Sequence, residues 1–167
     1  MHDLDPIDYR LLASLQRDAR VTQAQLAARV GLSQAAIADR LRRLEERGAI
    51  LGYHARLDPR ALGQELRAFV GVSVDHPRWH RGFAARVKRL PEVLECHRVA
   101  GADSYLLKVM TTSTETLDRL LSEKVRTIPG VTRTHTTVVL SAIKEDGAVP
   151  VPEPTRSRRR PRAEKAS

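Results

Sequence analysis

Apolar residues recur with a helical period over residues 6–51, and two breaks divide this region into three predicted helices. The breaks fall at Ala19-Arg20 and at Gly31, where a left-handed backbone is easily adopted. Residues that favour helix N-caps precede each helix: Asp5, Thr22 and Ser33. The predicted buried stripes consist of Ile7, Leu11, Leu12 and Leu15, then Leu26 and Val30, then Ile37, Leu41 and Leu44.

The pattern changes after Gly48. Residues 50–57 favour an extended segment and residues 58–65 a linker. Strands are then predicted at 66–75, 93–100, 104–111 and 131–140, and helices at 79–90 and 114–127. This βαββαβ order predicts a ferredoxin-like domain over residues 66–145, with both helices on one face of an antiparallel sheet. The other face is expected to be apolar and covered by a second subunit.

An internal repeat supports two equivalent halves in this domain. The sequence LPEV at residues 90–93 is echoed by IPGV at residues 128–131, an offset of 38 residues. The same offset aligns Phe69 with Leu107 and Gly71 with Val109. The repeat therefore predicts two βαβ halves.

The net charge of +9 over 167 residues points to a polyanionic partner, nucleic acid before membrane. Residues 146–167 are rich in Pro, Arg, Glu and Ser without apolar periodicity, which predicts a disordered basic tail. Six of the 29 Lys and Arg residues and two of the 20 acids follow Pro152, so residues 153–167 hold +4 of the charge. Such a tail is either solubilising or a loose phosphate-binding arm.

The start of the chain lacks a signal-peptide pattern, and no apolar run approaches the roughly 20 residues of a membrane span. We therefore expect a cytoplasmic protein. Cys96 is the only cysteine, which excludes a disulfide within one chain, and its apolar neighbours favour a buried, inert thiol. The six histidines show no metal-ligand spacing, and no nucleotide-binding or triad motif is present, so neither a metal nor a cofactor is expected.

The third helix has a face unsuited to a core. Ala35, Ala36, Asp39, Arg43 and Glu46 lie opposite the buried stripe. A tight turn before such a helix is typical of a helix-turn-helix at residues 1–57, in which short side chains let the helix enter a major groove. The alternative is a solvated face with ion pairs at four-residue spacing. The candidate DNA-binding residues are Ser33, Gln34, Ala35, Ala36, Asp39, Arg40, Arg42, Arg43 and Arg47.

Three stretches together resemble the Lrp/AsnC family of feast/famine transcriptional regulators: VTQAQLAARVGLSQAAIADRLRRLEERGAI, LPEVLECHRVAGADSYLLKV and IPGVTRTHTTVVLSAIK. The resemblance covers about Leu4 to Lys144. It implies an α+β chain with an N-terminal winged helix-turn-helix and a βαββαβ ligand-sensing domain. It also implies dimers that often assemble into octamers, a pseudo-palindromic DNA operator, and an amino acid or related metabolite bound between subunits.

By the same resemblance, the effector site lies at the loop between the second and third strands. Relatives often have Asp directly before the Tyr of this loop, whereas this chain has Ser104 there and Asp103 one position earlier. The implied effector-binding residues are Gly101, Ala102, Asp103, Ser104, Tyr105, Thr134, Thr136 and Val138. Without the resemblance, the threonines would be explained by ordinary β-propensity.

Two other functions share this architecture. One is an enzyme resembling sirohaem decarboxylases, against which the basic third helix argues. The other is an architectural protein that coats DNA without responding to a ligand, which the basic tail would suit.

Overall fold

The computed structural model describes residues 4–152. The chain divides into two compact units, with boundaries between Ala55 and Arg56 and between Glu145 and Asp146. The predicted linker 58–65 is counted with the second unit and contains a 3₁₀ turn at Arg60–Leu62. Most of the predicted basic tail, residues 153–167, lies outside the described residues.

Three helices make up the regular structure of the first unit: α1 (Pro6–Arg17), α2 (Gln23–Val30) and α3 (Gln34–Glu46). The three predicted N-caps are confirmed, because each side chain accepts hydrogen bonds from backbone N–H groups of the first helical turn. The core consists of Leu11, Val21, Leu26, Ala27, Ile37 and Leu41. Leu12 was predicted to be buried but is only half-buried, because it lies beside the buried stripe.

The turn between α2 and α3 depends on Gly31. Its φ of 73° lies in the left-handed region, where a side chain is disfavoured. The N–H groups of Gly31 and Leu32 both donate to the carbonyl of Ala27, at 2.9 and 3.1 Å, which closes the end of α2. Only two residues then separate Gly31 from the first residue of α3, so the predicted helix-turn-helix is confirmed.

The second unit is a four-stranded antiparallel sheet with helices on one face. Its elements are β1 (Leu66–Val74), α4 (Pro77–Val87), β2 (Val93–Arg98), β3 (Tyr105–Thr111), α5 (Thr114–Arg119) and β4 (Val131–Val138). The chain after α5 continues as a π-helix, Leu120–Val125. The strand order β2-β3-β1-β4 confirms the predicted ferredoxin-like topology.

The core of the second unit lies between the sheet and its helices. Ala68, Val70 and Val72 of β1 are fully buried there, and Phe83 of α4 packs against them. Residues 51–58 contain neither helix nor strand, so the predicted extended segment does not join the sheet. No helix in residues 4–152 is long and apolar enough to cross a membrane.

The internal repeat holds at the turns and fails in the strands. Val93 N–H donates to the Leu90 carbonyl and Val131 N–H to the Ile128 carbonyl, both at 3.1 Å. Phe69 and Leu107, however, lie on opposite faces, because Leu107 is fully buried whereas Phe69 is 38% exposed on the face away from the helices. The strands of the two halves are therefore out of phase by one residue.

Gly130, at the turn into β4, makes room for Trp79. A Cβ atom at Gly130 would lie 2.4 Å from the indole ring, and the glycine φ is 87°. The guanidinium carbon of Arg78 lies 4.8 Å from the centre of the same ring. Trp79, near the start of α4, thus packs against the turn that leads into β4.

Candidate functional site

The outward face of α3 begins with short side chains. Ser33, Gln34 and Ala35 are exposed and Ala36 is half-buried. Ser33 accepts a hydrogen bond from the Ala36 N–H at 3.2 Å, which fixes the first turn. The N-terminal end of α3 therefore offers a low surface for close approach to another molecule.

Asp39 is the centre of the charged part of this face. Its carboxylate binds Arg42 at 2.5 Å and Arg43 at 3.1 Å, and Arg42 also binds Glu46 at 2.7 Å. The hydrogen bond from Arg42 keeps the pKa of Asp39 below its usual range. Both guanidinium groups are held in place and remain about half exposed. Arg47 is exposed at the C-cap of α3.

Arg40, one of the predicted DNA contacts, does not share this face. Its guanidinium binds Asp5 at 2.6 Å and Asp8 at 2.8 Å, and its side chain is 21% exposed. These two acids cap the start of α1, so Arg40 joins α1 to α3. The reason is its position beside the buried stripe, which turns the side chain toward α1 rather than outward.

The two acids were missed as partners of Arg40, although the sequence carried a signal. Asp5 was recognised only as an N-cap, but Asp8 completes a capping box with it and is itself buried. A buried acid requires a partner, and Arg40 is the arginine of α3 nearest the buried stripe. The pKa of Asp5 lies below its usual range because the Asp8 N–H and Arg40 outweigh the opposing effect of burial.

The loop of residues 100–105 sends its side chains to different places. The Ser104 hydroxyl accepts from the Val74 N–H at 3.1 Å and donates to the Val74 carbonyl at 3.3 Å. The Tyr105 ring is buried against Phe83, and its hydroxyl lies 3.0 Å from Nδ1 of His80. The side chains of Ser104 and Tyr105 therefore make their contacts within the sheet unit.

Asp103 lies on the opposite side of the loop, against the sheet face that no helix covers. Its Oδ1 accepts from the Ser73 hydroxyl at 3.1 Å and from Arg133 at 3.2 Å, and Arg133 also donates to the Ala102 carbonyl. Its carboxylate occupies the space above Gly71, where a Cβ atom would approach Oδ2 to 2.2 Å. Oδ2 accepts no hydrogen bond from the part of the chain that the structure describes.

Sequence reasoning missed Gly71, Ser73 and Arg133 as neighbours of Asp103. An isolated glycine inside a strand is a signal for close approach of another group, and Gly71 gave that signal. Arg133 and Ser73 are paired across β4 and β1, so their side chains share one face. Gly101 and Ala102, the other predicted loop residues, are exposed beside this cluster.

The predicted residues of β4 face the other way. Thr134, Thr136 and Val138 pair with the buried Val72, Val70 and Ala68 of β1, so they lie on the helix-covered side. Thr134 accepts a hydrogen bond from Arg126 at 3.0 Å. In one chain these three residues therefore lie on the opposite face of the sheet from Asp103.

The sheet face without helices is mixed, not apolar as predicted. Phe69 and Leu106 are exposed on it, but a chain of ion pairs lies beside them. Lys108 binds Glu95 and Glu145, each at 3.1 Å, and Glu145 binds Arg67 at 2.6 Å. The side chains of Arg67 and Lys108 are only 18% exposed, because these contacts hold them flat on the sheet.

Cys96 is exposed, which corrects its predicted burial. It lies in β2, an edge strand whose side chains are largely uncovered in one chain. The partial burial that remains raises the pKa of the thiol, as expected for an unactivated cysteine. Among residues 4–152 no cluster of three potential metal ligands is found.

Comparison with protein families gives two matches that follow one another along the chain. Residues 4–50 match a model described as winged helix-turn-helix DNA-binding, and residues 67–149 match the Lrp/AsnC ligand binding domain. A proline dehydrogenase transcriptional activator of Rhizobium radiobacter is 42% identical over 147 residues, covering 87% of this chain and 94% of the relative.

Solved structures of two regulators are similar to this chain over most of its length. A feast or famine regulatory protein from Mycobacterium tuberculosis, complexed with L-methionine, has a TM-score of 0.82 and 40% identity, covering 89% of this chain and 99% of that one. A transcriptional regulator of Neisseria meningitidis, also in complex with L-methionine, has a TM-score of 0.83 and 32% identity, with 88% and 96% covered. The likeness thus extends over both units.

Proposed function

Since this chain belongs to the Lrp/AsnC family of transcriptional regulators, we propose that it binds operator DNA through α3 and an amino acid beside Asp103. The chain is an effector-responsive, DNA-binding regulator and not an enzyme. The proposal concerns which residues perform these two tasks. It places the protein in the cytoplasm, with the DNA that it would bind.

One observation carries the DNA-binding proposal: α3 presents short side chains at its start and two exposed, fixed arginines about two turns later. Ala35 and Ala36 permit approach to base edges, and Arg42 and Arg43 are held by Asp39. Arg40 supports this surface from behind, because it joins α3 to α1. We therefore assign base contacts to α3 between Ser33 and Arg43, with Arg47 near the phosphates.

Replacing Arg43 by alanine is expected to weaken operator binding by about 1–3 kcal/mol per contact if this arginine reads a base. Binding to unrelated duplex would then fall much less, since phosphate contacts supply that affinity. Fluorescence anisotropy with operator and scrambled duplexes at one salt concentration measures both affinities.

Arg119→Ala is the matched control, because Arg119 is also an exposed helical arginine paired with an acid four residues earlier. It belongs to α5 in the sheet unit and not to the helix-turn-helix. A control that loses operator preference as strongly as the Arg43 variant contradicts the proposal. Equal loss on both duplexes would make Arg43 a phosphate contact.

The effector proposal rests on the Asp103 cluster. An amino acid presents an ammonium group, which needs an acceptor, and a carboxylate, which needs donors. Oδ2 of Asp103 has no partner among the described residues, and the guanidinium of Arg133 supplies donors next to it. The two structural neighbours complexed with L-methionine support an amino acid as the ligand class.

We also propose that the protein is a dimer on an imperfectly palindromic operator, and that dimers assemble further into an octamer. One α3 helix per half-site would place half-sites about one helical turn apart, or a multiple of it. The exposed Phe69 and Leu106 on the uncovered sheet face support pairing with a second copy.

In solution we expect a mass of at least twice the 18.7 kDa of one chain. Light scattering after size-exclusion chromatography measures this mass directly. A monomer at micromolar concentration would contradict the dimer. It would leave the assignment of α3 to DNA untouched, because that surface is complete within one chain.

A further inference from the structure

A stripe of positive charge runs along the outer side of α4, in the unit that is not the helix-turn-helix. Phe83 and Val87 are buried on the inner side of this helix. The opposite side and the two residues that follow the helix are exposed, and we call this set the α4 stripe: Arg78, Arg81, Gly82, Ala85, Arg86, Lys88 and Arg89. The stripe thus combines five cations with two small residues between them.

The cations of the α4 stripe have no counter-charges. Residues 76–91 contain five Lys and Arg residues and no acid. None of the five is in an ion pair with any residue from 4 to 152, although exposed Arg119 and Lys124 on the other helical segment both are. Residues 114–126 in the second half hold three acids and three bases, so the excess is confined to α4.

The shape of the α4 stripe suits a regular polyanion. Arg78 and Arg86 are separated by eight residues, or about 12 Å along the helix axis. That distance spans roughly three to four phosphates of one strand of duplex DNA. Gly82 has open space where a Cβ would stand, so nothing on the helix prevents a phosphate backbone from lying between the arginines.

We propose that the α4 stripe binds the phosphate backbone of DNA, as a second contact surface beside α3. The inference rests on the DNA-binding function, which brings a duplex to the same molecule whenever α3 is engaged. Once one surface is bound, the other meets phosphates at high effective concentration. Because phosphates carry no sequence information, the α4 stripe adds affinity and extends the contacted length without altering operator choice.

The test compares two full-length double variants of equal net charge. Arg81→Gln with Arg86→Gln removes two stripe cations, and Arg119→Gln with Arg126→Gln removes two cations from the other helical segment. Affinity is measured for operator and scrambled duplexes between 50 and 300 mM salt, values chosen to define a slope. The α4 variant is expected to lower the slope of log affinity against log salt by about 1.8 for each α4 stripe in contact with the duplex, and to weaken both duplexes by the same factor, roughly tenfold or more at 0.1 M salt.

The control variant is expected to leave the slope near that of the wild type. An α4 variant with an unchanged slope, or a control with an equal decrease, overturns the proposal. A parallel arm measures binding to phosphatidylglycerol vesicles, and loss there with an unchanged DNA slope would also overturn it. Arg43→Ala distinguishes this proposal from the assignment of α3 to base contacts. It is expected to alter operator preference while the α4 stripe still contributes to the salt slope. A negative result for the α4 stripe therefore does not contradict the α3 assignment.

Discussion

Replacing Arg40 by alanine is expected to destabilise the helix-turn-helix unit by about 2–3 kcal/mol, without any direct contact to DNA being lost. The arginine binds Asp5 and Asp8 at 2.6 and 2.8 Å, and Asp8 is 8% exposed. Its removal leaves a buried carboxylate without its partner, which costs more than the lost attraction alone. Urea unfolding followed by circular dichroism measures the change.

Arg42→Ala is the matched control, because Arg42 also binds two acids at comparable distances. Its ion pairs are exposed and lie within one helix, so we expect a loss below about 1 kcal/mol. If both variants lose the same stability, the ion pairs of Arg40 with Asp5 and Asp8 stabilise the protein no more than an exposed pair does, and our account of Arg40 is wrong.

The ion pair between Arg40 and Asp5 predicts that the free energy of unfolding depends on pH. The pKa of Asp5 is held below its usual range in the folded protein, despite the opposing effect of burial, by the Asp8 N–H and by Arg40. The contribution of ionised Asp5 to folding stability is therefore present at neutral pH and is lost as the pH falls below about 4. Arg40→Ala is expected to flatten this acid limb of the stability profile.

Asp103→Asn is expected to weaken amino-acid binding by about 2–5 kcal/mol, because a desolvated ammonium would lose its charged acceptor. The substitution keeps the size of the side chain and leaves Ser73 and Arg133 in place. Calorimetric titration with L-methionine, L-leucine and the corresponding keto acids measures the effect. Keto acids have no ammonium group, so their affinity should change little in this variant.

Two further variants sharpen this result. Asp118→Asn removes the same charge from exposed α5 and should bind as the wild type does. Ser104→Asp tests the position that the family resemblance favoured. Since the Ser104 hydroxyl is occupied by the backbone of Val74, a carboxylate there would meet a carbonyl and should not improve binding. Unchanged affinity in Asp103→Asn would place the effector elsewhere.

Much of the fold could be predicted because local chemistry and tertiary structure agree. Asp5, Thr22 and Ser33 cap helices by contacts within one turn, and such contacts are visible in sequence. The alternation of buried residues in β1 and β3 likewise follows from the period of a strand. The ends of β2 and β4 were placed two residues too far along because the chain bends at Ala100 and Leu140, directly after the last N–H groups that still pair, those of Val99 and Val139.

The candidate site was harder to predict because it depends on which way a side chain turns. Arg40 and Arg43 differ in their position around α3, but the partners of Arg40 on α1 lie more than 30 residues away in sequence. Thr134 and Arg133 are neighbours on β4, yet they lie on opposite faces of the sheet. Asp103 and Ser73 are 30 residues apart, and their contact depends on the register between β1 and β3.

The single tryptophan of the chain, packed against Gly130, makes the protein its own spectroscopic reporter. Because Trp79 belongs to the sheet unit, its emission follows the unfolding of that unit alone, whereas circular dichroism records the helices of both. A variant weakened at the joint between α1 and α3 should therefore shift the dichroism curve and leave the fluorescence curve in place. Arg78 lies over the same indole, so a phosphate drawn to that guanidinium should change the emission without any attached dye.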